Sequence, residues 1–185
     1  MESQPYFIAL RKKLPPFHET WRLYATIVFL VYGWTSLAFF WKVPSWLYFL
    51  DSGEIVSILA YALSSTVFES VIILLLFVLA SLVLPASWLR NKFVIRGSIV
   101  FYSLTFWVVF LTLSSLLQLP TTNDLLTFAM GFPLTAGLGM ILVDKIPLVY
   151  RFMDYLSKQL TIFLYLWLPL SVVGILILIV RNIGG

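Results

Sequence analysis

The sequence predicts an all-α protein, a polytopic bundle of about five transmembrane helices, and three observations support this. Hydrophobic residues make up 61% of the 185 residues and charged residues only 11%, whereas an ordinary soluble domain has about 25% charged residues. Five apolar runs have about the 20 residues or more that cross the hydrocarbon core of a bilayer. Lysine and arginine concentrate on alternate loops, as they do in multi-pass proteins.

The predicted spans are residues 23–41, 55–84, 98–119, 125–143 and 159–180 of one transmembrane domain that covers residues 1–185. Pro44, Pro85, Pro120 and Pro147 each lie just beyond a run, where proline disfavours continuation of the helix. The second run is long, since 30 residues at about 1.5 Å each reach about 45 Å, against about 30 Å of hydrocarbon. We therefore expect this helix to tilt or to project from the outer side.

The loop charges predict a cytoplasmic N-terminus and an outward C-terminus. Of the 12 lysine and arginine residues, only Lys42 and Arg181 fall on the predicted outer side. A one-sided excess of basic residues over short loops sets the orientation of membrane proteins. We expect a multi-pass protein of the cell membrane, either a plasma or an inner membrane. The first apolar run is expected to be a retained anchor because no cleavage motif follows it.

The composition excludes several classes of site. Cysteine is absent and His18 is the single histidine, so the usual zinc and iron ligand sets cannot be built. The chain contains none of the common hydrolase, metalloprotease or phosphate-loop motifs. We expect no cofactor, no metal and no nucleic-acid partner. The expected partners are the bilayer, bound lipids, and either other membrane subunits or further copies of the chain.

Glu69 is the ionisable side chain nearest the middle of a predicted span. Tyr61, Ser65 and Glu69 share a helix face at i,i+4 spacing, and Thr66 lies beside them. Since no span carries a basic residue to pair with it, we expect an enclosed, protonated carboxyl that is hydrogen-bonded to these hydroxyls. It would be a proton- or cation-coupling site, an interhelical hydrogen bond that holds the bundle together, or a position near the outer interface.

The fourth predicted span carries a cluster of small residues around a proline. Gly131, Thr135 and Gly139 are spaced four apart, with Pro133 and Gly137 between them. Small residues let two helices approach closely, which predicts a packing face. The alternative is a helix interrupted at Pro133, whose freed backbone groups would line a substrate site as they do in many transporters.

Residues 146–158 predict a short amphipathic helix on the cytoplasmic surface of the membrane. Arg151, Asp154 and Lys158 lie opposite its apolar side, and the last two form an i,i+4 ion pair. The helix is either a structured connector or a docking element for a cytoplasmic partner. Residues 5–16 mix apolar and basic side chains, and we expect them to lie on anionic lipid.

These features favour a non-catalytic integral membrane subunit or accessory protein of a larger membrane complex. The second hypothesis is a small transporter or channel protomer that uses Glu69 and an interrupted fourth helix. The third is an intramembrane lipid enzyme that uses Asp51, Glu54 and Glu69. We rank it last because these carboxylates have no basic or metal-binding companions, so the sequence favours a protein that is not an enzyme without deciding the point.

Overall fold

The computed structural model of the protein describes residues 14–85, 88–89, 92–115 and 121–183. This part of the chain is helical and contains no β-strand. Its six helices are α1 (Phe17–Trp46), α2 (Ser52–Val83), α3 (Phe93–Ser115), α4 (Thr122–Lys145), α5 (Pro147–Gln159) and α6 (Thr161–Ile183).

Five helical segments are long and apolar enough to cross a membrane, which confirms the predicted multi-pass bundle. The first four are α1, α2, α3 and α4, and the fifth combines α5 and α6. The 13 residues of α5 reach only about 20 Å at about 1.5 Å per residue, so α5 by itself is too short for a span.

Helices α2 and α4 begin before the predicted apolar runs because their polar capping residues lie outside those runs. The Asp51 side chain caps the start of α2, and the Glu54 carboxylate accepts a hydrogen bond from the Asp51 backbone N–H at 3.1 Å. Thr121 and Asp124 form the same reciprocal arrangement at the start of α4. Residues 116–119 of the predicted third span, and all but the end of the predicted surface segment 5–16, lie outside the described residues.

Helix α1 forms the centre of the bundle, in contact with α2, α3, α5 and α6. Six successive residues, 23–28, are all buried. Neighbouring residues of an α-helix point about 100° apart, so this part of α1 is covered on every side. Helix α4 lies at the edge and packs chiefly on α3 and α5.

Apolar packing joins α1 to both halves of the bundle. Tyr32 and Leu63 belong to a buried cluster that brings together α1, α2 and α6. Ile27 and Phe101 belong to a second cluster, between α1, α2 and α3. The bundle therefore has a continuous interior organised around one helix.

Hydroxyl groups also link α1 to its three long neighbours. The pairs and their oxygen–oxygen distances are Tyr24–Ser70 at 3.3 Å and Thr35–Thr66 at 3.2 Å on α2, Thr26–Ser98 at 3.4 Å on α3, and Tyr32–Ser171 at 2.6 Å on α6. Polar contacts inside membranes contribute about 0.6 kcal/mol each on average. Their main effect here is to define how each helix is rotated and shifted against α1.

Candidate functional site

Glu69 lies near the middle of α2, and its side chain faces away from the bundle. One carboxylate oxygen, Oε1, accepts a hydrogen bond from Ser65 Oγ at 2.9 Å. Ser65 is also exposed, and the Tyr61 side chain is 58% exposed. Tyr61, Ser65 and Glu69 thus form an outward polar strip on α2, called here the Glu69 strip. The expected burial of this carboxyl is therefore not provided by the bundle of a single chain.

Thr66 does not belong to this strip, although it is next to Ser65 in the sequence. Its side chain is 1% exposed, and Oγ1 donates a hydrogen bond to the Ala62 carbonyl at 2.7 Å. The same hydroxyl contacts Thr35 of α1. Because adjacent helix residues point about 100° apart, Thr66 serves the interior while Ser65 and Glu69 face outward.

The surface around the Glu69 strip is apolar. Phe68 and Ile72 flank Glu69 and are 65% and 57% exposed. Insertion of a carboxylate at the centre of a membrane helix costs about 2.5–3.5 kcal/mol of free energy on the translocon scale. The single intrahelical hydrogen bond from Ser65 offsets only part of this cost. The arrangement suits contact with another helix that supplies hydrogen-bond donors.

The small residues of α4 lie against α3. A Cβ atom placed on Gly131 would overlap the Trp107 ring, and one on Gly139 would lie 2.6 Å from Ile99 Cγ2. Thr135 Oγ1 accepts a hydrogen bond from Trp107 Nε1 at 3.1 Å and pairs with Ser103 Oγ. The structure therefore brings Gly131, Thr135 and Gly139 together in one close contact between α3 and α4.

Two features of the predicted α4 site need correction. Helix α4 continues through Pro133 from Thr122 to Lys145, so the interruption required by the transporter hypothesis is absent from this helix. A Cβ atom on Gly137 meets no atom within 4 Å, so Gly137 lies outside the α3–α4 contact. Gly137 is two residues from both Thr135 and Gly139, so at about 100° per residue it lies on the opposite side of the helix.

Helix α5 is attached to the start of α1 by an ion-pair network. Arg22 Nη2 lies 2.5 Å from Asp154 Oδ1 and 2.6 Å from Ser157 Oγ, and it also donates to the Asp154 carbonyl. Lys158 Nζ binds the other Asp154 oxygen at 2.7 Å. Arg151, three residues before Asp154, is exposed. Sequence spacing revealed the Asp154–Lys158 pair but not Arg22, which is 132 residues from Asp154.

A second ion-pair network joins the start of α3 to the end of α4. Asp144 binds Lys92 at 2.8 Å and Arg96 at 2.6 Å through its two carboxylate oxygens. Lys92 Nζ also lies 5.2 Å from the centre of the Tyr150 ring of α5. Both networks lie at the same end of the bundle, called here the basic end.

Comparison of the chain with models of protein families, with curated protein sequences and with solved structures finds no match. Within the described ranges, no group of three or more histidine, aspartate or glutamate side chains is placed to hold a metal ion.

Proposed function

We propose that this chain is a non-catalytic integral membrane subunit or accessory protein of a larger membrane complex, and that the Glu69 strip contacts a helix of a partner subunit. The observation that carries the proposal is the exposed Glu69 carboxyl near the middle of a 32-residue apolar helix. Polar side chains at this depth normally face protein or a water-filled cavity rather than lipid.

The chemistry of the strip indicates what the partner helix offers. Ser65 and Tyr61 carry hydroxyls, and Glu69 adds an acceptor in its ionised form or a donor and acceptor in its protonated form. The flanking Phe68 and Ile72 supply apolar contact area on either side. A partner helix with a hydroxyl, amide or basic side chain at the depth of Glu69 satisfies the carboxyl and covers this apolar surface.

We further propose that the basic end faces the cytoplasm of a cell whose plasma or inner membrane holds the protein. Arg22, Lys92, Arg96 and Lys158 meet there through the two ion-pair networks. Among the described basic residues, Lys42 and Arg181 lie near the C-terminal ends of α1 and α6, away from the basic end. This one-sided distribution supports the orientation with the start of α1 inside and the end of α6 outside.

The alternative is a transporter protomer in which Glu69 exchanges a proton or cation at a contact between copies. The outward position of Glu69 favours this alternative as well, because a carboxyl at an interface between copies remains accessible to a moving ion. The continuous α4 removes the second feature on which that hypothesis depended. We therefore keep the subunit hypothesis first.

The test compares Glu69→Gln with Glu69→Leu after gentle detergent extraction, with native mass and co-purifying chains as the measurement. Glutamine keeps the shape and much of the hydrogen bonding of a protonated glutamate, so we expect Glu69→Gln to retain the complex of the unmodified chain. Leucine offers no polar partner, so Glu69→Leu should release the subunit.

Three outcomes would contradict the proposal. A native mass of one copy for the unmodified chain would show that it has no partner subunit. Retention of the complex by Glu69→Leu would show that the Glu69 strip does not hold the partner. Intact assembly of Glu69→Gln with loss of proton- or ion-dependent transport would identify the protein as a transporter.

A further inference from the structure

A groove with a volume of about 410 Å³ opens on the outer surface of the bundle where α3, α4 and α5 meet. The side chains that line it are mostly apolar and include Ile99 and Phe106 of α3, Leu142 and Val143 of α4, and Val149 and Met153 of α5. This α3–α4 groove lies on a different part of the bundle from the Glu69 strip of α2.

The distance of the groove from the start of α3 matches the position of a lipid acyl chain beneath its headgroup. Ile99 and Phe106 are 6 and 13 residues beyond Phe93, the first residue of α3, which places them about 9 and 20 Å along the helix at about 1.5 Å per residue. An unfilled apolar groove loses dispersion contacts on one side, and water finds few hydrogen-bond partners there. A bilayer acyl chain is apolar and already adjacent.

Positively charged side chains lie on the same face of α3, at the start of the helix. Lys92, Arg96, Ile99 and Phe106 are spaced by 4, 3 and 7 residues, so their side chains follow one side of the helix. Lys92 and Arg96 share the single carboxylate of Asp144. Lys92 also lines a pocket with Arg22, Glu19 and Asp154. With the paired Arg96, Asp144 and Lys158, four cations face three anions at this end, so the surroundings of Lys92 are net positive. The Lys92 side chain is 35% exposed.

We propose that the α3–α4 groove binds an acyl chain of an anionic phospholipid whose phosphate group contacts Lys92 and Arg96. The groove supplies the apolar contact, and the charged cluster at its end selects the headgroup. Charge-assisted hydrogen bonds from lysine and arginine to phosphate are among the stronger ones in proteins. The charged cluster and the groove follow one another along one side of α3, as the headgroup and the acyl chain do in a lipid.

The test uses native mass spectrometry of the detergent-purified full chain, mixed with phosphatidylglycerol or phosphatidylcholine that carry the same acyl chains. We expect the unmodified protein to retain phosphatidylglycerol several-fold more than phosphatidylcholine. Leu142→Trp fills the groove from a position that is 48% exposed, so this variant should lose most of the retained lipid. Ile141→Trp is the matched control, since Ile141 is 50% exposed at the same depth but lies outside the groove.

The headgroup contact is tested separately with Lys92→Gln, which should lower the retention of phosphatidylglycerol to that of phosphatidylcholine. Circular dichroism and the elution volume of each variant verify the fold. Equal lipid retention by Leu142→Trp and Ile141→Trp would overturn the groove as the binding site. Equal retention of the two lipids by the unmodified chain, or an unchanged preference in Lys92→Gln, would overturn the headgroup assignment.

Discussion

The contact between α3 and α4 can be tested with a single added methyl group. Gly131→Ala places a Cβ atom within the space of the Trp107 ring, at 2.6 Å from Cε2 and closer to two other ring atoms. The ring cannot turn freely because the Phe106 and Phe110 rings lie edge-on to it, with centroids 5.8 and 5.5 Å away. The substitution therefore forces α4 away from α3 or displaces the tryptophan.

The cost follows from two terms. Overpacking of a tight contact costs about 1–3 kcal/mol. Displacement of Trp107 also breaks its 3.1 Å hydrogen bond to Thr135, and intramembrane polar contacts are worth about 0.6 kcal/mol on average. We expect Gly131→Ala to lower the free energy of unfolding by about 2–4 kcal/mol from these two terms.

Gly137→Ala is the matched control on the same helix. Its added Cβ atom meets nothing within 4 Å, and any change in helix propensity from glycine to alanine is common to both variants. Gly139→Ala should fall between them, since its Cβ atom lies close to one methyl group, Ile99 Cγ2, at 2.6 Å. The expected order of damage is thus Gly131, then Gly139, then Gly137.

The assay is unfolding of the purified protein in mixed micelles by increasing fractions of sodium dodecyl sulfate, followed by tryptophan fluorescence. Circular dichroism of each variant at zero denaturing detergent verifies that α4 is still helical. Equal unfolding midpoints for Gly131→Ala and Gly137→Ala would refute the reasoning, because the two glycines would then have equivalent surroundings. A larger loss for Gly137→Ala would place the packed face on the other side of α4.

Three further predictions concern other parts of the bundle. Arg22→Gln removes the cation that attaches α5 to α1, so cleavage within residues 147–159 by an added protease should accelerate, and an unchanged rate would contradict the attachment. Tyr32→Phe deletes one hydroxyl of the pair with Ser171 and should cost only about 0.6 kcal/mol in the same unfolding assay; a loss above about 2 kcal/mol would contradict a role limited to this hydrogen bond. In this cysteine-free chain, a membrane-impermeant thiol reagent should label Tyr48→Cys but not Tyr155→Cys on intact cells, and the reverse pattern would invert the proposed orientation.

The number and order of the spans could be predicted because the signal for each is local. An apolar run of about 20 residues bounded by proline or charge identifies a span without knowledge of its neighbours. The ends were less predictable, since the helical residues 17–22 of α1 include His18, Glu19 and Arg22. These polar residues interrupt hydropathy but do not interrupt a helix.

The side of α2 that faces the interior of the bundle could not be predicted from the sequence. Its apolar residues are spread around the whole circumference, so the pattern does not separate an interior side from a lipid side. Only three-dimensional packing shows that Thr66 points inward and Glu69 outward. The small residues of α4 were more informative, because Gly131, Thr135 and Gly139 recur at i,i+4 and do contact α3, whereas the neighbouring Gly137 does not.

The central position of α1 has a consequence for biogenesis. Of the six helices, α1 is synthesised first, yet the partner of Tyr32 is Ser171, 139 residues later in the chain. At 5–20 residues per second, about 7–28 s pass before the ribosome makes that partner. During this interval the Tyr32 hydroxyl has to be held by lipid headgroups, water or the insertion machinery. The side of α1 that packs on α6 is therefore the last to be covered, and closure of the bundle comes only after α6 has entered the membrane.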